Sequence, residues 1–212
     1  MSTDNGLALR AEPAPTRENG RVAPPRRRKN TDSRTREYLS PKEVHSLQCA
    51  AGRLGRHGQR DAALVLIGYR HGLRVSELAA LRWEQVDFKA GLLHVARLKN
   101  GIASTHPIRG PELRSLHELR RRYPDGPYVF CSEHGGPLGV RSVRAIVARA
   151  GVEAKLPFTV HPHMLRHSTG YKLANDGQDT RAIQLYLGHR SITHTVRYTE
   201  LSPERFKDFW RD

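Results

Sequence analysis

Apolar positions recur at helical spacing along most of this chain, and the pattern changes character only between Trp83 and Ile108. The first block opens at Ser40-Pro41-Lys42-Glu43, a capping box with proline at the first helical position. The helix it starts, to about Ala51, carries Val44, Leu47 and Cys49 as its apolar positions. A second helix, about Arg60 to His71, holds the run Ala62 to Ile67 and is stopped by Gly72. Ser76 to Leu81 predicts a short helix with Leu78 and Leu81 inward. Val86-Asp87-Phe88, Leu92 to Val95 and Ser104 to Ile108 then predict three short strands, with turns at 89–91 and 99–101. Asn100-Gly101 is a strong hairpin dipeptide, which sets Lys99 at the tip of the second hairpin.

Helical spacing returns at Pro111 to about Tyr123, a basic amphipathic helix, and Tyr128-Val129-Phe130 reads as one more short strand. Val140 to Ala150 places Val143, Ile146 and Val147 inside and Arg141, Arg144 and Arg149 outside. A helix from about Pro162 to Asp176 ends at Gly177, another from Thr180 to Leu187 ends at Gly188, and Ser191 to Arg197 forms a shorter helix or turn. Ser202 caps a last helix, Pro203 to Trp210, with Phe206, Phe209 and Trp210 on one side. The fold class is therefore α+β, mainly α-helical, with a small antiparallel sheet at one edge. Residues 1–36 lack any apolar period, and Pro13, Pro15, Pro24 and Pro25 argue against a helix there. They read as a disordered tail ahead of one domain, 37–212.

Charge sharpens this picture. Lys plus Arg total 36 against 21 Asp plus Glu, a formal charge of +15 and a pI near 10.6, which points to a polyanionic partner. Arginine dominates the excess and forks onto phosphate better than lysine does. The run Arg26-Arg27-Arg28-Lys29 either touches DNA phosphates or is a solvated stretch. Cys49 and Cys131, alone and in unrelated contexts, indicate neither a disulfide framework nor a cysteine metal site, which suits a reducing cytoplasm. No apolar stretch is long enough to span a membrane, and the N-terminus lacks a signal-peptide core. A cytoplasmic, nucleoid-associated protein is expected.

Candidate chemistry gathers in the last third. His163 and Arg166, three apart, project from one helix face; His189 follows the Gly188 stop; Tyr198 lies nine residues on. An arginine neutralises phosphate oxygens, a histidine moves protons or hydrogen-bonds an oxyanion, and a tyrosine hydroxyl can be a covalent nucleophile. Phosphoryl transfer also needs a second arginine and an acid for the leaving oxygen. Arg74 follows the break at Gly72, with Glu77 three residues on to orient it, and Lys99 at a hairpin tip can supply a proton. Each has a plain alternative: Arg74 a surface residue, Lys99 a turn residue, His163 a helix cap, His189 a helix terminus, Tyr198 a core aromatic. Their joint occurrence in order is what carries weight.

Arg74 in H-G-L-R-V-S-E-L, Lys99 before a strand ending His106-Pro107, H-x-L-R at 163–166, L-G-H at 187–189 and Tyr198 together resemble the tyrosine recombinases of the lambda-integrase type. All six positions of that family's active set are filled. R-L-K-N-G-x-x-S-T-H-P, H-P-H-M-L-R-H, D-T-R-x-I-Q-x-Y-L-G-H-R and I-x-H-T-V-R-Y-T are similar to the fimbrial phase-switch recombinases, which invert a promoter segment. The resemblance implies a catalytic domain of that fold in which Tyr198 attacks the scissile phosphate to give a 3′-phosphotyrosine. It also implies that Arg74 and Arg166 hold the nonbridging oxygens, Lys99 protonates the 5′ oxygen, His163 acts as base and His189 hydrogen-bonds a phosphate oxygen. It implies no metal or nucleotide cofactor, a homotetramer on two paired duplex sites, and DNA-bending accessory proteins as further partners. Most members carry a separate helical core-binding domain before the catalytic one; here a Pro/Arg tail stands in that place, and the fimbrial subgroup is similarly short. Type IB topoisomerase chemistry, a non-catalytic DNA-binding regulator, and a zinc site from His161, His163, His167, His189 and His194 are the competing readings.

Overall fold

The structure, a computed structural model, describes residues 17–18, 21–22, 36–97 and 101–200. Two units separate along the chain, 1–35 and 36–212. In the first, β1 (Arg17–Glu18) pairs antiparallel with β2 (Arg21–Val22), a short ladder inside the segment expected to lack structure. The run 26–29 and the expected last helix, 203–210, lie outside the described residues.

The second unit is built around one helix. α1 (Pro41–Arg53) starts from the predicted box, in which the Ser40 hydroxyl accepts from the Glu43 amide and the Glu43 carboxylate accepts from the Ser40 amide at 2.7 Å. Its buried stripe is Val44, Leu47, Ala50 and Ala51. Cys49, expected inward, is exposed, because two residues past Leu47 is about 200° round the helix. α2 (Gly58–Arg70) buries Ala63 through Ile67 almost all round, since α1 covers one side and two later helices, α4 (Gly110–Arg122) and α6 (Pro162–Asn175), cover the others. Each fully buried Leu or Ile in it contributes roughly 1.5–3 kcal/mol. α3 (Val75–Ala79) turns Leu78 into the same core, and α5 (Val140–Glu153) adds Val143, Ile146 and Val147 as the periodicity predicts.

The sheet is antiparallel in the order β3 (Val86–Asp87), β4 (Leu92–Val95), β5 (Ser104–Pro107). Its last β4–β5 pair is Val95 with Ser104; the turn expected at 99–101 falls largely on residues 98–100, which lie outside the described residues. On either side of that stretch the Arg97 side chain is buried, and a Cβ on Gly101 would stand 2.7 Å from the Cβ of Arg97. Tyr128 to Phe130 is not a strand. The segment makes one isolated bridge, Arg82 with Tyr128, and the Val129 amide donates to the Leu81 carbonyl, which is enough to seat Val129 and Phe130 in the core without a ladder.

The closing elements are α6, α7 (Thr180–Leu187) and α8 (Thr193–Glu200). The predicted short helix at 191–197 thus runs three residues further. These elements hold a smaller core of Tyr171, Ala174, Ile183, Leu187 and Tyr198. Gly188 ends α7 with φ of +64°, the left-handed conformation that glycine adopts without strain. Among the described residues no helix is long and apolar enough to cross a membrane.

Candidate active site

Arg166 sits in α6 with 2% of its surface exposed, although it carries a full charge. Two helix ends hold it: one Nη donates to the Gly72 carbonyl at 2.5 Å, just past α2, and the other to the Leu187 carbonyl at 2.6 Å, the end of α7. Helix C-termini carry partial negative charge, so these are apt partners for a cation. Burial, then the neighbouring charges of Arg74 and Arg97, pull its pKa down to about 9, so it remains charged at neutral pH.

Arg74 is the N-cap of α3, its side chain partly exposed. Glu77 orients it as the spacing predicts: one carboxylate oxygen accepts from the Arg74 guanidinium at 2.8 Å and the other from the Arg74 amide at 2.8 Å. Burial alone would raise the Glu77 pKa, but the Arg74 amide and the charge of Arg97 outweigh it and hold the carboxylate below its usual range.

His189 follows Gly188 directly and is buried, its Nδ1 2.8 Å from the Thr195 hydroxyl. Burial, then the charges of Arg166 and Arg74, lower its pKa to about 3. Tyr198 of α8 is 1% exposed, its ring 6.3 Å from that of His189. Burial raises its pKa to about 12, against the opposing pull of Arg166 and Arg197. Its ring lies against Gly170, where an added Cβ would be 2.6 Å from a ring carbon.

The Tyr198 hydroxyl meets His167 Nδ1 at 2.9 Å; it is His167, not His163, that holds it in this arrangement. One helical turn separates the two imidazoles, whose rings stand edge to face at 4.4 Å, and only the second lies level with the hollow at Gly170. His163 is exposed, and desolvation, then the charges of Arg166 and Arg197, lower its pKa. His167 is buried and neutral, its pKa lowered to about 3 by burial and then by His163 and Arg197. The sequence offered a signal for His167, four residues from His163 on the same face, but nothing that ranked it above its neighbour.

Arg74, His163, Arg166, His189 and Tyr198 are therefore within electrostatic reach of one another, with Glu77 behind them. Lys99 lies outside the described residues, between Arg97 and Gly101. Among the described residues, no three His, Cys, Asp or Glu side chains converge as metal ligands. Two guanidiniums, those of Arg74 and Arg166, and the His189 imidazole act electrostatically on one another, Arg166 acts on the Tyr198 phenol, and the Glu77 carboxylate is turned to the arginines.

The histidines also set an acid limit on the fold. His106, His167 and His189 have folded pKa values of about 3, against 6.5 when unfolded. Between those limits the unfolded chain binds more protons, so stability rises with pH and is lost as pH falls from 6.5 toward 3. The melting temperature should drop steadily from pH 7 to pH 4, and His106→Gln should shrink that drop. A melting temperature independent of pH over this range would show that the rings charge without cost in the fold.

The fold, with the family and relatives it matches, defines a tyrosine-type recombinase. The chain belongs to the phage integrase family, whose model matches residues 37–205. It is 42% identical over 184 residues to the Type 1 fimbriae regulatory protein FimB of Escherichia coli K12, covering 84% of this chain and 92% of that one. It is 38% identical over 146 residues to tyrosine recombinase XerC of Xylella fastidiosa strain M23, covering 68% and 49%. The solved XerA recombinase superposes with a TM-score of 0.70 at 26% identity over 80% of this chain and 62% of that chain. The chain thus spans nearly all of the fimbrial relative, but under two thirds of XerA.

Proposed function

We propose that this protein cuts and rejoins duplex DNA at paired specific sites through a 3′-phosphotyrosine on Tyr198, and that its natural outcome is inversion of the segment between the sites. The observation that carries this reading is the buried, doubly anchored Arg166 beside Arg74, His189 and the Tyr198 phenol. The Tyr198 oxygen bonds to phosphorus as the bond to the 5′ oxygen breaks. The phenol proton leaves to His163 or solvent, and Lys99 protonates the departing 5′ oxygen. Arg74, Arg166 and His189 stabilise charge on the nonbridging oxygens. Attack by the partner strand's 5′-hydroxyl reverses the step, so the linkage conserves the bond energy. Similarity to a fimbriae regulatory protein supports inversion over integration or excision. In this reading residues 37–212 are the catalytic unit, four copies act on two sites with DNA-bending accessory proteins, and Arg26, Arg27, Arg28 and Lys29 neutralise flanking phosphates.

A supercoiled plasmid carrying two sites in opposed orientation tests it. The protein should invert the intervening segment, leave protein on 3′ ends and expose 5′-hydroxyls that a polynucleotide kinase can label. Protein attached to 5′ ends, or relaxation without inversion, would defeat the reading. Removing residues 1–36 should flatten the salt dependence of DNA binding by about 0.9 in log–log slope per phosphate released. An unchanged slope would leave the tail merely solvated.

A further inference from the structure

Within the R-L-K-N-G stretch, Arg97 has no role in the mechanism above, yet its side chain is fully buried, with 0% exposed. One Nη donates to Glu77 at 2.9 Å, on the carboxylate whose two oxygens also receive the Arg74 guanidinium and amide. The other Nη donates to the Tyr186 carbonyl at 2.6 Å, near the end of α7. Two glycines make room for it. A Cβ on Gly101 would stand 2.7 Å from the Arg97 Cβ and 3.3 Å from an Arg74 Nη, and a Cβ on Gly188 would stand 2.8 Å from Arg97 Cγ. Gly101, the start of α3 and the residue before His189 therefore meet around one arginine. The base of the same hairpin is held to the same tyrosine, since the His106 ring stacks on Tyr186 at 3.8 Å.

A buried cation is expensive, and a well-packed apolar side chain in its place is often no less stable. Both Nη groups of Arg97 are taken by protein partners, Glu77 and the Tyr186 carbonyl. We propose that Arg97 is a positioning residue for strand cleavage: it fixes the Glu77 carboxylate, and through it aims the Arg74 guanidinium at the scissile phosphate. This rests on the reading of Arg74 as a phosphate-binding group.

The test is single-turnover cleavage of a nicked suicide duplex with either a native phosphate or a neutral methylphosphonate at the scissile position. A neutral centre has less need of a well-aimed guanidinium. Arg74→Ala should therefore be severely impaired on phosphate and much less so on methylphosphonate. If Arg97 acts through Arg74, Arg97→Met should cleave native DNA about 10²-fold more slowly, the scale of a small misplacement. Its defect should shrink at least about tenfold on methylphosphonate, with DNA binding retained. Arg97→Lys, which keeps the charge but loses the fork, should fall between. Native-rate cleavage by Arg97→Met overturns the proposal, as does equal slowing on both substrates while Arg74→Ala is rescued. Failure of both Arg97 variants to fold assigns the residue to stability and also overturns it. If Arg74→Ala cleaves the native phosphate normally, the reading of Arg74 itself fails, and with it the inference.

Discussion

Replacing Tyr198 with phenylalanine is expected to abolish strand cleavage while leaving DNA binding nearly intact. The change removes one oxygen: the proposed nucleophile, and the partner of His167 at 2.9 Å. The ring's packing against Gly170 and Tyr171 is kept. Losing the hydrogen bond leaves a buried ring nitrogen without its partner, a cost of about 1–3 kcal/mol in stability. In the proposed reading affinity rests on arginines that the change does not touch. The measurement is the covalent protein–DNA complex that survives denaturing electrophoresis after reaction with a nicked suicide substrate. A complex formed by the phenylalanine variant would assign the nucleophile to another side chain.

Arg166→Lys is expected to slow cleavage by roughly 10³-fold or more, in the range associated with an arginine that stabilises phosphoryl-transfer charge. Charge is retained, so the loss comes from geometry. The guanidinium reaches two carbonyls at once, Gly72 and Leu187, and a single ammonium on a flexible stem cannot hold both in this geometry. The abandoned carbonyl, buried between α2 and α7, adds about 1–3 kcal/mol of lost stability. Single-turnover rates and a thermal melt on the same preparation separate the two effects. A lower melting temperature with an unchanged rate would make Arg166 a strut between helices and nothing more.

Local signals made most of the helical frame legible. Ser40-Pro41 with Glu43 marked the start of α1, Thr180 to Leu187 was bounded by Gly188, and the Glu77 spacing anticipated its hold on Arg74. What escaped were features decided by partners distant in sequence. Arg97 entered only as the first residue of the R-L-K-N-G motif, because nothing local says that Glu77 and Tyr186 await it inside. His163 and His167 are equivalent by type and helix face; what distinguishes them is the hollow at Gly170, which exists only once α8 has folded back. Cys49 was mistaken for core by its chemistry, although the angle between it and Leu47 was available from spacing alone.

The seat of Tyr198 is also a safety catch. If Tyr198 is the nucleophile, a phenol only 1% exposed does not reach a phosphate on a duplex outside the protein, and α8 would have to shift before the first bond could break. Leaving the seat forfeits the Gly170 hollow, the His167 hydrogen bond and the pairing of Arg197 with Glu37, which ties α8 to the segment ahead of α1. If those holds sum to about 4 kcal/mol, roughly one molecule in a thousand is armed at any moment, and a substrate must supply the difference through its own binding energy. Non-specific DNA, bound weakly, cannot meet that threshold, whereas a fully engaged site can. Fidelity would then reside partly in the armed fraction: a chromosome meets this protein at every sequence, but meets its nucleophile only where binding is strong enough to release it.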